Sequence, residues 1–146
     1  MNINIFSQMP NMLNHDRLKK LANIILENEK LAVKTSVNII LTDNSYIKKL
    51  NQKFRGIQSP TDVLAFPASD FTPPGSSPFI GEVYISLEKA ETQAQDYKVS
   101  FQEEVERLLT HGILHLMGYS HDKEETEKEM DMKTEYYLQK IGKKDK

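Results

Sequence analysis

Apolar residues recur along this chain with two different periods, and the switches between them mark its elements. Ile3 to Phe6 reads as a short strand. From Arg17 to Lys30 the period is helical, with Leu18, Leu21, Ala22 and Ile25 on one face and Asn14 placed to cap it. Lys34 to Thr42 alternates through Val37, Ile39 and Leu41 and is rich in β-branched residues, the pattern of a strand. Asp43 is an N-cap candidate for a helix carrying Ile47, Leu50 and Phe54, and Gly56 is its predicted stop. A strand over Thr61 to Phe66 ends at Pro67.

Residues 68 to 79 are rich in Pro, Ser and Gly and read as a surface loop. Ile80 to Ile85 is the next strand, and Ser86 is positioned to cap a helix bearing Leu87, Ala90, Ala94 and Tyr97. Phe101 to Met117 gives the strongest helical pattern, and its second half is apolar nearly all round, so burial is expected. Gly118 ends it. Asp122 with Glu125 forms a capping box for a last, highly charged helix whose inward stripe is Met130, Lys133, Tyr137 and Ile141, and the KKDK tail should fray. Strands early and helices late, with no internal repeat, predict an α+β fold with one small mixed sheet in a single domain spanning 1–146.

The 146-residue length suits one core, and 38% hydrophobic against 27% charged residues is a globular profile. Cysteine is absent, which excludes thiolate metal sites and cysteine nucleophiles and leaves His, Asp, Glu or water for any metal. No run of 18 apolar residues exists, and the first residues lack a signal peptide's basic and apolar regions. The expectation is a cytoplasmic protein with no membrane partner. Residues 1–60 carry nine Lys and Arg against four Asp and Glu, a net of +5, while 61–146 carry a net of −7. A globally basic nucleic-acid binder is not indicated; a local basic face is compatible with this asymmetry.

Three of the four histidines lie within HGILHLMGYSH. His111 and His115 are four apart on a predicted helix, so they stack one turn apart on one face. Gly118 allows a left-handed turn, after which His121 can come back beneath the same ion. Three imidazoles leave a fourth tetrahedral position open, the form of a catalytic zinc site. The spacing matches the metzincin metalloprotease pattern at every His and at the Gly. Metzincins place a glutamate general base directly after the first His, and here that position is Gly112.

These residues resemble the YbeY family of metal-dependent endoribonucleases. HGILHLMGYSH, residues 111–121, is similar to the family's H-G-x-L-H-L-x-G-Y-D-H; FRGIQSPTDVLAFP, residues 54–67, is similar to its R-x-x-x-x-x-T-D-V-L-S-F-P; and GEVYIS, residues 81–86, resembles its G-D-I-x-I-S. The motifs occur in the family's order and span the domain. The resemblance implies one zinc ion held by His111, His115 and His121, with Arg55 as an arginine lining the cleft near the metal. It also implies cleavage of single-stranded RNA rather than DNA, in ribosomal RNA maturation (the 3' end of 16S rRNA) and ribosome quality control, with the small ribosomal subunit as partner. The implied fold has a mostly parallel four-stranded sheet, one antiparallel strand and surrounding helices. Two positions depart: Ser120 stands where the family has Asp and supplies no charge, and Glu82 replaces the Asp of the third motif.

Around this set, Lys48, Lys49 and Lys53 either guide a phosphate backbone or are solvated helix surface. Asp62 either orients a ligand histidine or bonds backbone at a strand start. Glu104 reads as structural and His15 as surface, while Phe54, Phe66 and Tyr119 are either stacking platforms or core. Two rival functions are a zinc metalloprotease, weakened by Gly112, and a non-catalytic ribosome-assembly factor with bound zinc.

Overall fold

In a computed structural model, residues 1–70, 78–120 and 124–142 are described. The chain order is β1 (Asn2–Ser7), α1 (His15–Asn28), β2 (Ser36–Thr42), α2 (Asn44–Arg55), β3 (Val63–Pro67), β4 (Phe79–Ser86), α3 (Leu87–Tyr97), α4 (Phe101–Leu116) and α5 (Glu124–Ile141). A short 3-10 turn, Ala68–Asp70, follows β3 inside the expected loop. The sheet order is β1-β2-β4-β3. β1, β2 and β4 are parallel, and β3 runs antiparallel to β4 at the edge, with Val63 opposite Ile85 and Ala65 opposite Val83. The fold is α+β with a mixed, mostly parallel four-stranded sheet.

The two faces of the sheet follow from strand alternation. Val37, Ile39, Leu41, Val83 and Ile85 are fully buried against α1 and α4 in the main core. Leu64, Phe66 and Tyr84 point the other way and meet Ile47 and Leu50 of α2 in a second, smaller core. α2 and α4 therefore lie on opposite faces, and the edge strand β3 separates them.

Caps fix where the helices begin. Asn14 accepts from Arg17 N–H at 3.0 Å, Asp43 from Tyr46 N–H at 2.8 Å and Ser86 from Lys89 N–H at 3.1 Å, as the sequence predicts. At α4, Ser100 and Glu103 form a full capping box. α1 starts at His15 and ends at Asn28, two residues earlier at each end than its apolar stripe suggested. In α2 the inward stripe is rotated: Ile47 and Asn51 are buried, whereas Phe54 is half exposed.

α4 occupies the centre of the helical layer, packed on β3 and β4 and flanked by α1, α3 and α5. Leu108, Leu109, Ile113 and Leu114 are buried, as the apolar run requires. A Cβ on Gly112 would come 2.4 Å from Val83 Cγ1 and 3.3 Å from Val63 Cγ2. Gly112 thus lies where α4 crosses the sheet too closely for a side chain. In α5 the buried positions are Met130, Thr134 and Tyr137, while Lys133 reaches Glu29 in an ion pair of 2.8 Å. Among the described residues no helix is long and apolar enough to cross a membrane.

Candidate functional site

Arg55 is the last residue of α2. Gly56 turns left-handed at φ 70°, with its N–H bonding Gln52 O and the Ile57 N–H bonding Asn51 O at 3.2 Å. That turn directs the Arg55 side chain to the edge strand, where Nη2 donates to Ala65 O at 2.9 Å and the guanidinium carbon lies 5.4 Å from the Phe66 ring centre, a cation–π distance. One N–H of the fork is thereby anchored. No carboxylate pairs with it among the described residues, and the rest of the fork can accept an anion.

His111 and His115 come from the opposite face of the sheet. Both are half-buried on α4, while the residues between them, Gly112, Ile113 and Leu114, are buried. After His115 the helix closes with a Schellman motif: Gly118 N–H bonds His115 O at 3.0 Å and Tyr119 N–H bonds Leu114 O at 3.1 Å, with Gly118 at φ 97°. His121 lies outside the described residues, as do Asp122 and the tail. The described residues alone hold no group of three His, Cys, Asp or Glu placed for one metal ion.

The two faces meet at the edge of β3. A cleft of about 280 Å³ there is lined by Asn51, Arg55, Thr61 and His115, with Ile57 and Val63 among its apolar walls. Residues 60 apart in sequence, Arg55 and His115, thus share one concavity.

The remaining candidates sort by place. Lys48, Lys49 and Lys53 are exposed on α2, Lys53 lying 5.2 Å from the Phe54 ring centre. Asp62 accepts from Thr61 Oγ1 at 3.3 Å, its backbone carbonyl takes the Ser86 N–H, and its charge helps raise the Arg107 pKa one turn before His111. Glu104 is buried and committed to Arg107 and Gln93, a structural role as expected. His15 contacts Asn11 at 3.0 Å at the start of α1. Glu82 accepts from Tyr84 OH at 2.9 Å on the sheet face away from α4, so it is not beside the histidines. Phe66 is core, and Phe54 is half exposed beside it.

Tyr119 has a role that its motif did not reveal. Its hydroxyl donates to Glu29 at 2.9 Å, and the same carboxylate takes Lys133 Nζ at 2.8 Å and the Tyr137 hydroxyl. Burial pushes the Glu29 carboxyl upward, but the bonds from Lys133, Tyr137 and Tyr119 outweigh it and hold the pKa below the usual glutamate value. This knot ties the connection leading to His121 back onto α1. Asn51 and Thr61 were missed as cleft residues. For Asn51 a signal existed: it is a polar residue one turn after Ile47 on the face turned to the sheet.

A family profile described as Endoribonuclease YbeY matches residues 3–142. The chain belongs to the YbeY family. An Endoribonuclease YbeY from Acetivibrio thermocellus is 40% identical over 137 residues, covering 86% of this chain and 85% of that protein. Another from Petrotoga mobilis is 37% identical over 144 residues, covering 97% of this chain and 96% of that protein. The solution structure of TM1509 from Thermotoga maritima superposes with a TM-score of 0.64 at 33% identity, covering 95% of this chain and 88% of that one. The fold brings Arg55 and His115, one residue from each of the two sequence motifs, to one cleft.

Proposed function

We propose that this chain is a zinc-dependent endoribonuclease that cuts single-stranded RNA, in the maturation of ribosomal RNA and the quality control of ribosomes. The observation that carries this reading is the shared cleft, lined by both the Arg55 guanidinium, which can take an anion, and His115 of the candidate metal set. The names of the YbeY relatives support the reaction class.

The donor set suits zinc. His111 and His115 offer imidazole nitrogens one turn apart, and the nearby buried carboxylate of Glu104 is already committed to Arg107. His121, past the Gly118 turn, would complete the set. When bound in such a triad, zinc supplies Lewis acidity and lowers the pKa of a coordinated water to about 7.

The chain's own residues do the rest. Arg55 binds phosphate oxygens with the free part of its fork, and its bond to Ala65 O orients that fork before substrate arrives. The exposed lysines of α2 lead the backbone toward it. The closed helix end and the Glu29 knot hold the histidine-bearing segment against the main core.

Gly112 weighs against the peptidase alternative. A metalloprotease would carry its carboxylate base at this position. Here the position faces Val83 inside the core, where even a Cβ would clash.

The test is metal content together with cleavage of single-stranded RNA and of casein, in wild type and His115→Ala. The expected result is about one zinc per chain, RNA cut and casein intact, with both metal and RNA cleavage lost in the variant. Zinc-dependent casein cleavage abolished by His115→Ala would reverse the assignment.

A further inference from the structure

The cleft at the edge of β3 is built for more than a phosphate. Its volume, about 280 Å³, falls just below the roughly 300–1,000 Å³ of whole small-molecule sites, which suits a single heterocycle. Ile57, Val63 and Leu64 supply apolar walls, and Asn51 and Thr61 supply polar atoms.

Asn51 carries the decisive feature. The residue is 4% exposed, and Nδ2 donates to Ser59 O at 2.9 Å. That bond fixes the orientation of the amide, since exchanging its O and N would set two oxygens against each other. Oδ1 is then left as an acceptor, and among the described residues it is the buried side-chain polar atom with no hydrogen-bond partner. Buried acceptors are nearly always satisfied, by protein or by ordered water, so this one marks a place for a donor from outside the chain, either a water or a ligand group that takes its place.

We infer that the cleft seats one unstacked nucleobase beside the scissile phosphate, with Asn51 Oδ1 accepting an N–H from the Watson–Crick edge of that base. The inference rests on the endoribonuclease reading and extends it to the substrate's conformation. Every base carries such a donor: the exocyclic amines of adenine and cytosine, the imino group of uracil, and both in guanine. In a duplex that donor is already used in pairing and the base is stacked. The site therefore selects an unpaired base without selecting its identity. Arg55, on the same rim, would hold the adjoining phosphate.

The experiment uses the zinc-loaded full chain and a short single-stranded RNA in which a single abasic residue, or a single N3-methyluridine in place of uridine, is moved through the sequence around the cleaved bond. The expected result is a fall in kcat/KM of about tenfold at one register next to that bond, the size of one lost buried hydrogen bond, and little change elsewhere. Ile57→Trp fills the rim from a position that is half exposed, so folding is spared. It should raise KM about tenfold with zinc content and Tm unchanged. In parallel, titration with UMP should shift the amide resonances of Ile57, Thr61 and Ala65. RNA cleavage that is indifferent to base removal at every register, with no UMP shift at these amides, would overturn the base site and leave the endoribonuclease reading standing. Absence of RNA cleavage in wild type together with a UMP shift at the cleft would do the reverse.

Discussion

Arg55 is exposed in its surroundings yet fixed in direction, because one N–H is bound to Ala65 O and its guanidinium lies over the Phe66 ring at cation–π distance. On the proposed reading, a group so placed would act on charge that develops at phosphorus. Arg55→Ala should lower kcat on saturating RNA by on the order of a hundredfold, corresponding to about 3 kcal/mol for one lost charge-assisted donor. Arg55→Lys should recover only part, since an ammonium keeps the charge without the fork. Single-turnover cleavage with zinc measured on the same samples checks this, and a wild-type rate in Arg55→Ala at saturation would reduce Arg55 to a binding residue. Gly112 gives a second residue-scale prediction. Gly112→Ala gains up to about 1 kcal/mol of helix propensity but drives a Cβ into Val83 Cγ1, an overpacking cost of about 1–3 kcal/mol. Thermal unfolding should show a net loss of up to about 2 kcal/mol; a stabilised variant would mean that α4 can lift from β4 without cost.

At the scale of elements, α4 and its exit form the mechanical unit of the site. The Schellman turn and the Glu29 knot fasten the segment after His115 to α1 and α5. Because the Glu29 pKa is lowered in the folded state, its contribution to stability is present in full above the usual glutamate range. It is lost as pH falls through that range toward the folded-state value. Glu29→Gln should therefore lower Tm near neutral pH and flatten the acid side of the stability profile. Calorimetry from neutral pH down to about 3, spanning the usual glutamate pKa, reads both effects. A variant whose acid slope equals that of wild type would show that other carboxyls carry the transition.

For the molecule as a whole, charge is divided along the chain, +5 in residues 1–60 against −7 in the remainder. The exposed Lys48, Lys49 and Lys53 place part of that positive charge on α2, next to the cleft. RNA affinity should fall with rising ionic strength as counterions are released. Reversing these three lysines to glutamate should weaken binding and flatten the salt slope more than neutralising Lys143 and Lys144. Titrations at several salt concentrations decide it, and a larger effect from the tail lysines would move the RNA path off α2.

Much of this was legible in the chain itself. Strand alternation, helix caps at Asn14, Asp43 and Ser86, and the turn glycines Gly56 and Gly118 depend on neighbours a few residues away, so the elements follow from local chemistry. The pairing of His111 with His115 is equally local, being set by the helical repeat. Other features depend on packing between distant segments. The antiparallel place of β3 at the sheet edge, with α2 and α4 on opposite faces, is what brings Arg55 to His115. The same packing rotated α2 so that Asn51 is buried and Phe54 exposed, and it left Asn51 Oδ1 with no partner among the described residues. It also explains why a glycine follows the first histidine, since the room available there is set by Val83 on another strand. Local propensity is carried by each residue's own backbone and near neighbours, and so it can be read in order. Which atoms meet across the edge of a sheet depends on how several elements share one core, and only the tertiary structure decides that.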